Sequence, residues 1–381
     1  RMSFGFFFSD EFAYFGCMTF SRFIPVFAVL LFLLPTRAQA QSPCEWFDWD
    51  GDGFVGANTW VYVLGQYDTA GEMDVDSSGW VDVRDLLAFI PFAGASCPVE
   101  WYDTSTGHIE GLVLTEFAVH ETELAGMSDN IPAGSITYRL YAEMSHDEDV
   151  ILAVYGDDED PLTISSDGTF YGFGGDFGTV VVDDYNAVFS AIFPAYPFTT
   201  LLSCGRLPGE DPDGLLTSHV SHWQALLEDL DVNGDMVLSD ATGGAWFNSG
   251  LQIPAQQDGL VFIGQFTVVD GSTLEGTLNL LAKTELEEGQ GIEFAEGLTF
   301  SSDELDVLGC MDAAATNYNP AATIAFGVCF LPGDFNEDGA YTVADLLTLL
   351  ELFGCDNCPS GDLNNDGIVS VQDILIWLGY F

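Results

Sequence analysis

The chain has 381 residues, with 7 Lys or Arg against 60 Asp or Glu, a formal net charge of −53, 48% hydrophobic and 14% aromatic residues, and 41 glycines. So acidic a chain cannot neutralise phosphates, which excludes nucleic acid as a partner, and the same repulsion excludes an anionic membrane surface. So apolar a chain is too hydrophobic for disorder; its length suffices for two or three domains, and its glycines point to the many turns of a β-rich protein.

Residues 1–17 fit neither a targeting segment nor a folded element and read as upstream sequence translated in error. From Met18 to Arg22 the chain is short and basic, Phe23 to Leu34 is an apolar run too brief to span a bilayer, and Ala38-Gln39-Ala40 supplies the small residues of a cleavage site. Residues 18–40 are therefore expected to be a secretory signal peptide cut before Gln41. The expected location is extracellular or cell-surface, with no membrane span in the mature chain. Removing Arg1, Arg22, Arg37, Asp10 and Glu11 leaves 4 basic residues, Arg84, Arg139, Arg206 and Lys283, against 58 acidic ones. The surplus reads as a solvated surface suited to saline surroundings, where salt screens charges over about 8 Å or less.

Export makes disulfides expected. Cys44 with Cys97, Cys310 with Cys329, and Cys355 with Cys358 are plausible local pairs, leaving Cys204 over. The last pair also has the C-x-x-C spacing of a zinc half-site or redox motif, but no second such pair and no nearby His accompanies it.

The first carboxylate cluster of the mature chain is Asp48, Asp50, Asp52 and Gly53, with Thr59 eleven residues after Asp48. It is followed by Asp74, Asp76, Ser78, Gly79, Trp80, Asp82 and Asp85, which leads into Leu86, Leu87 and Ile90. Oxygen-bearing side chains at loop positions 1, 3, 5, 9 and 12, with Gly at 6, suit a hard cation that takes six to eight oxygens, and position 7 contributes only its carbonyl. The second loop is nearly complete. The first lacks the bidentate carboxylate of position 12, so one good and one impaired Ca2+ site are expected.

The middle of the chain alternates apolar and polar residues in short runs: Leu112 to Phe117, Ile136 to Tyr141, Val150 to Tyr155 and Leu260 to Phe266. Period two broken by glycine means strands, and without helix-strand alternation a β-sandwich or jelly roll is expected. Ile136-Thr-Tyr-Arg-Leu-Tyr, Val154-Tyr-Gly-Asp with Pro161-Leu-Thr-Ile, and Thr242 to Phe247 resemble segments of an uncharacterised domain of large secreted proteins. The stretch with Gly309-Cys310-Met-Asp312, Asn317-Tyr318-Asn319-Pro320 and Cys329 resembles a short Cys-bracketed repeat common in secreted proteins of marine bacteria, which implies modular extracellular architecture and no chemistry.

Near the C-terminus the loop spacing is complete twice: Asp334, Asn336, Asp338, Gly339, Ala340, Thr342 and Asp345, then Asp362, Asn364, Asp366, Gly367, Ile368, Ser370 and Asp373. Each is followed by a helical apolar pattern, Val343, Leu346, Leu347, Leu350 and Phe353 in one and Val371, Ile374, Leu375 and Leu378 in the other. Neither is preceded by a helix, because Pro332-Gly333 and Pro359-Ser-Gly361 break it. These half EF-hands resemble the repeat pair of dockerin modules, and residues 48–85 resemble a degenerate copy. The resemblance implies Ca2+ held by the two C-terminal sets, with Ala340 and Ile368 giving carbonyls, and a cohesin-like or cell-surface protein, or a glycan, as partner. Dockerins usually present hydroxyl residues at loop positions 10 and 11, where this chain has Val343, Ala344, Val371 and Gln372.

The expected organisation is thus residues 41–98 as a degenerate dockerin-like module, 99–308 as a β-sandwich domain, 309–330 as the Cys-bracketed repeat and 331–381 as a dockerin-like domain. The expected class is mainly β, flanked by small α-helical calcium modules. Asp229, Asp231, Asn233, Gly234 and Asp240 also fit the loop spacing, although Met236-Val-Leu238 reads equally well as a strand.

No G-x-S-x-G, P-loop or H-E-x-x-H occurs, and His219-Val-Ser-His222 without a nearby carboxylate favours a polar surface pair over zinc. Asp157-Asp-Glu-Asp160 and Asp183-Asp184 leave glycoside hydrolysis open, since two carboxylates about 5 to 9 Å apart suffice, but such runs are usually solvated loops. Gly172 to Gly175 reads as a turn, and Tyr171, Phe173, Trp223 and Trp246 read as core before sugar platforms. A non-catalytic calcium-binding protein for surface display, adhesion or assembly is the leading expectation. A component that degrades or binds polysaccharide is the alternative.

Overall fold

The computed structural model describes residues 44, 47–49, 51–97, 107–146, 148–172, 180–210, 217–220, 235–248, 257–285, 290–336, 339–356, 358 and 361–380. All belong to one compact unit, Gln41–Phe381. The two leading segments, Asp50, Asp338, the Asp229 to Gly234 cluster, His222, Phe173, Gly174, Gly175 and Trp223 lie outside them.

Two short helices, α1 (Ala57–Leu64) and α2 (Val83–Phe89), come first. Strands β1 (Ile109–Val119), β2 (Ile136–Met144), β3 (Val150–Gly156), β4 (Leu162–Ser166) and β5 (Thr169–Phe170) follow. After α3 (Ala187–Ser190) come β6 (Leu201–Leu202), β7 (Thr217–Val220), β8 (Asp235–Leu238), β9 (Gly244–Asn248), β10 (Leu260–Val269), β11 (Leu274–Glu285) and β12 (Gln290–Ser301). A small parallel pair, β13 (Leu308–Gly309) with β14 (Ile324–Ala325), precedes α4 (Val343–Glu351) and α5 (Val371–Trp377). Among the described residues no helix is long and apolar enough to cross a membrane.

The chain is mainly β, and its strands form two antiparallel sheets. One runs β1-β2-β10-β5 with β6 also on β10; the other runs β7-β9-β3-β11-β4-β8 with β12 also on β11. Period-two alternation sends Leu114, Leu140 and Phe266 from the first sheet, and Val154, Trp246 and Leu280 from the second, into one core between them. The architecture is a β-sandwich. A register shift between Phe262 and Gly264 in β10 lets Phe262 face outward while Ile263 and Phe266 face the core.

Both sheets are also covered on their outer faces. Val83, Leu86, Leu87 and Phe89 of α2 share a cluster with Val150, Leu152, Tyr155, Phe247 and Leu281 of the second sheet. Trp60 of α1 stacks on Phe247 at 5.3 Å, and the Tyr67 hydroxyl donates to the Thr242 carbonyl. This explains why every residue of β3 is buried: a strand covered on two faces reads as a continuous apolar run. The N-terminal segment is therefore packed directly against the outer face of the second sheet. Each fully buried Leu or Phe in this interface stabilises by about 1.5–3 kcal/mol. On the opposite sheet, half-buried Leu308, Ile324 and Phe326 cover Val113, Tyr141, Leu260 and Phe262.

The last segment has its own small core of Leu349, Val369 and Trp377, with half-buried Phe335, Tyr341, Leu346 and Ile374. The Trp377 indole donates to the Gly333 carbonyl at 2.7 Å, tying the end of α5 to the start of the first C-terminal loop. Of the residues in the two helical apolar patterns, Val343, Leu347, Leu350, Phe353, Val371, Leu375 and Leu378 are exposed. Both helices are apolar on more than one face, and the face bearing Leu346, Leu349, Ile374 and Trp377 is the one packed.

Three disulfides join Cys44 to Cys97, Cys310 to Cys329 and Cys355 to Cys358, and Cys204 is free and buried. Residues 236–238 lie in β8, as the strand reading expected. His219 stands on strand β7, and His222 lies outside the described residues.

Candidate metal centre

The four acidic loops repeat one backbone pattern. The position-6 glycines, Gly53, Gly79, Gly339 and Gly367, all have positive φ, and position 4 does too at Gly51, Ser77 and Asn365. A Cβ strains such a conformation, so glycine at position 6 is a local demand of the turn. In every loop the position-1 carboxylate accepts the position-6 N–H: Asp48 from Gly53 at 2.9 Å, Asp74 from Gly79 at 2.9 Å, Asp334 from Gly339 at 2.8 Å and Asp362 from Gly367 at 2.7 Å.

Three loops run into a helix through a capping box. Asp82, Thr342 and Ser370 at position 9 are the N-caps of α2, α4 and α5, and Asp85, Asp345 and Asp373 at position 12 accept back from the N-cap N–H. The other oxygen of each position-12 carboxylate closes the loop. Asp85 takes the Val75 N–H, Asp345 the Phe335 N–H at 2.8 Å, and Asp373 the Asn364 N–H at 3.2 Å. All three position-12 residues are buried. Sequence spacing marked them as cation ligands and missed this second role; Ser/Thr/Asp followed by Asp three residues later was the signal for it.

The first loop differs, as its sequence implies. Gly56 at position 9 gives α1 no side-chain cap, and buried Thr59 at position 12 has a hydroxyl with no hydrogen-bond partner. Asp52 accepts the Phe54 N–H at 2.9 Å.

Two observations bear on which of these oxygens could hold a cation. Asp48 Oδ1 and Asp74 Oδ1 are buried with no hydrogen-bond partner, whereas buried polar atoms are ordinarily satisfied. In the second loop, carboxylate oxygens of Asp74, Asp76 and Asp85 all lie within 4.8 Å of one another. Burial, reinforced by Asp76, pushes Asp85 up to about 7 despite its backbone hydrogen bonds, and Asp82 rises to about 6 for the same first reason. In the C-terminal loops burial also opposes ionisation of Asp345 and Asp373, but the N–H groups they accept outweigh it and hold both below the usual carboxylate range.

Other loop positions are held by hydrogen bonds within their own loops. The Ser78 hydroxyl donates to the Trp80 carbonyl at 3.0 Å, bringing positions 5 and 7 together. Asn364 accepts the Asp366 N–H at 2.8 Å and donates to Asp366 and Gln372, while Asp366 accepts the Ile368 N–H at 3.0 Å. Asn336, Ala340, Thr342 and Ser370 lie in the same loops, with Asp50 and Asp338 outside the described residues.

The acidic runs considered for catalysis are engaged elsewhere. Asp157 and Asp160 face Arg84 of α2, while Asp183 pairs with Arg206 at 2.7 Å and accepts the Thr217 N–H. Asp184 accepts the Val180 and Val181 N–H groups. Trp246 and Tyr171 are buried in the core, as their strand spacing favoured. No protein-family model matches this chain, and no curated protein or solved structure matches it either.

Proposed function

We propose that this is a secreted, non-catalytic protein that binds Ca2+ through its acidic loops and uses the C-terminal, dockerin-like loop pair for assembly or surface display. The observation that carries the reading is a duplicated exposed face. Val343, Leu347 and Leu350 occupy loop positions 10, 14 and 17 of the first half-hand, and Val371, Leu375 and Leu378 occupy the same positions of the second. All six are 46–63% exposed. Apolar side chains displayed at matching positions of two repeats are the mark of a protein-binding surface. Val343 and Val371, at position 10, stand where dockerins usually carry a hydroxyl residue, so the partner expected here is a cohesin-like or cell-surface protein with an apolar complement.

Ca2+ acts structurally in this reading. With Kd of roughly 10 μM and free Ca2+ of about 10 mM, each site stabilises its loop by about 4 kcal/mol. Chelation followed by circular dichroism and melting tests it; unchanged behaviour would sink the proposal.

A polysaccharide-binding role has one observation in its favour. Trp49 stacks on Tyr62 at 4.1 Å and is half exposed, beside Asn58 and Gln66, which is the chemistry of a sugar platform. Screening the full chain against plant and algal glycans, scoring binding and reducing-sugar release, distinguishes this role from assembly.

A further inference from the structure

We propose a second, chemically different metal site on the sandwich, built from His108, His146 and Asp149, for a divalent transition metal of the Zn2+ class. Asp149 is fully buried and His108 is 8% exposed; the His108 Nδ1 lies 2.9 and 3.1 Å from the two Asp149 carboxylate oxygens. His146 Nδ1 lies 4.0 Å from the same Asp149 Oδ2. The two imidazoles stack with centroids 4.4 Å apart, and one ligand atom from each of the three residues falls within 4.8 Å of the others.

A buried His-Asp pair is a common structural device and accounts for His108 and Asp149 alone. It does not account for His146. The chain has 5 histidines, and two of them converge on one carboxylate. Each ligand sits at the end of a strand: His108 just before β1, His146 just after β2, and Asp149 just before β3. The strand ends are pinned together, since the Ser145 N–H donates to the His108 carbonyl at 2.8 Å and the Asp149 N–H to the His146 carbonyl at 3.2 Å. Glu293 of β12 accepts the backbone N–H groups of both His108 and Ile109, fixing His108 from behind. Ligands on rigid elements with a supporting shell are what a metal site requires.

The spacing is right as well. Tetrahedral Zn2+ with bonds of about 2.0–2.1 Å places its ligands about 3.3 Å apart. The His108–Asp149 and His146–Asp149 separations, 2.9 and 4.0 Å to the same oxygen, lie on either side of that value, and the three ligand atoms all fall within 4.8 Å of one another. His146 is the exposed member, and its Nδ1 shares a hydrogen bond with the Ser145 hydroxyl at 2.8 Å; closing the set requires it to exchange that contact for the metal and turn out of the ring stack, while the hydrogen between His108 Nδ1 and Asp149 moves to Nε2 or to solvent. Three protein ligands leave the outward position for water. Two imidazoles select a borderline-soft metal over Ca2+, whereas the all-oxygen loops prefer Ca2+.

The test is calorimetric titration of the full chain with Zn2+ in saturating Ca2+, which keeps the oxygen loops filled. One Zn2+ per chain is expected, with affinity falling at least about tenfold in His146→Ala. Because His146 is exposed, that variant should melt like the parent without Zn2+, so lost binding is not unfolding. Absence of Zn2+ binding in the parent, or affinity unchanged in His146→Ala, overturns the proposal.

Discussion

Arg84 and Asp157, 73 residues apart, lock the N-terminal helix α2 to the sandwich: Arg84 Nε lies 2.6 Å and Nη2 2.9 Å from the two Asp157 oxygens. The same Nη2 lies 2.7 Å from Asp160. Burial works against the Arg84 charge, but these carboxylates outweigh it and raise the guanidinium further above its ordinary value. Because Arg84 lies between Asp82 and Asp85, the pair ties an acidic loop mechanically to the end of β3.

Arg84→Ala should therefore destabilise the protein well beyond a surface substitution. Asp157 is 2% exposed, and removing its cation leaves a buried unpaired carboxylate, at a cost of about 3–5 kcal/mol. Denaturant unfolding in saturating Ca2+ measures it, and adding Asp157→Asn to Arg84→Ala should recover part of the loss. A change below about 0.5 kcal/mol would place the pair among ordinary surface bridges.

Chelation should act differently at the two ends. The C-terminal loops carry only the small core of Leu349, Val369 and Trp377, whereas α2 is packed into the second sheet. Hydrogen exchange in chelator should show α4 and α5 losing protection fully. At the other end α1 and α2 should loosen less while the sandwich's melting temperature drops. Equal loss at both ends with an unaffected sandwich would show the N-terminal segment to be independent.

The position-12 carboxylates also hold their helices without metal. Asp373→Ala removes the capping box of α5 and should lower the stability of the C-terminal segment by about 1 kcal/mol in chelator as well as abolishing its site. If the variant and parent melt alike in chelator, Asp373 serves the metal alone.

His120 supplies a pH dependence away from the loops. Burial lowers its pKa, and its ring lies 2.8 Å from the Thr137 hydroxyl. Between the lowered folded value and the ordinary one near 6.5 the unfolded chain binds the extra proton, so stability falls as pH drops through about 6.5. Burial lowers His219 in the same sense. Replacing His120 with Gln should reduce the stability lost between pH 7 and 5.5; an unchanged loss would contradict this assignment.

The exposed stripe offers a further check. Leu347→Ser with Leu375→Ser should leave melting within about 0.5 kcal/mol, as surface substitutions do, where core positions would cost about 2–5 kcal/mol. A large loss would return these residues to the core.

What was legible in the sequence is what is local. Alternation located β1, β2, β3 and β10, oxygen-bearing residues at loop positions 1, 3 and 5 with Gly at 6 located the loops, and cysteine proximity located three disulfides. Contacts between distant segments left no such trace. Nothing near Arg84 announces Asp157, and β3, read as an alternating strand, is an unbroken apolar run whose second cover, α2, only the structure shows. The apolar pattern of α4 and α5 was visible too, but a helix with two apolar faces does not reveal which one packs. His108, His146 and Asp149 meet only because three strand ends do.

Everything proposed for the acidic loops rests on their holding Ca2+. Calorimetric titration of the full chain with Ca2+, set beside a variant carrying Asp345→Ala and Asp373→Ala, tests it most directly. At least three saturable sites are expected in the parent, two of which vanish in the variant. No saturable heat at millimolar Ca2+, or identical titrations for the two proteins, would contradict it.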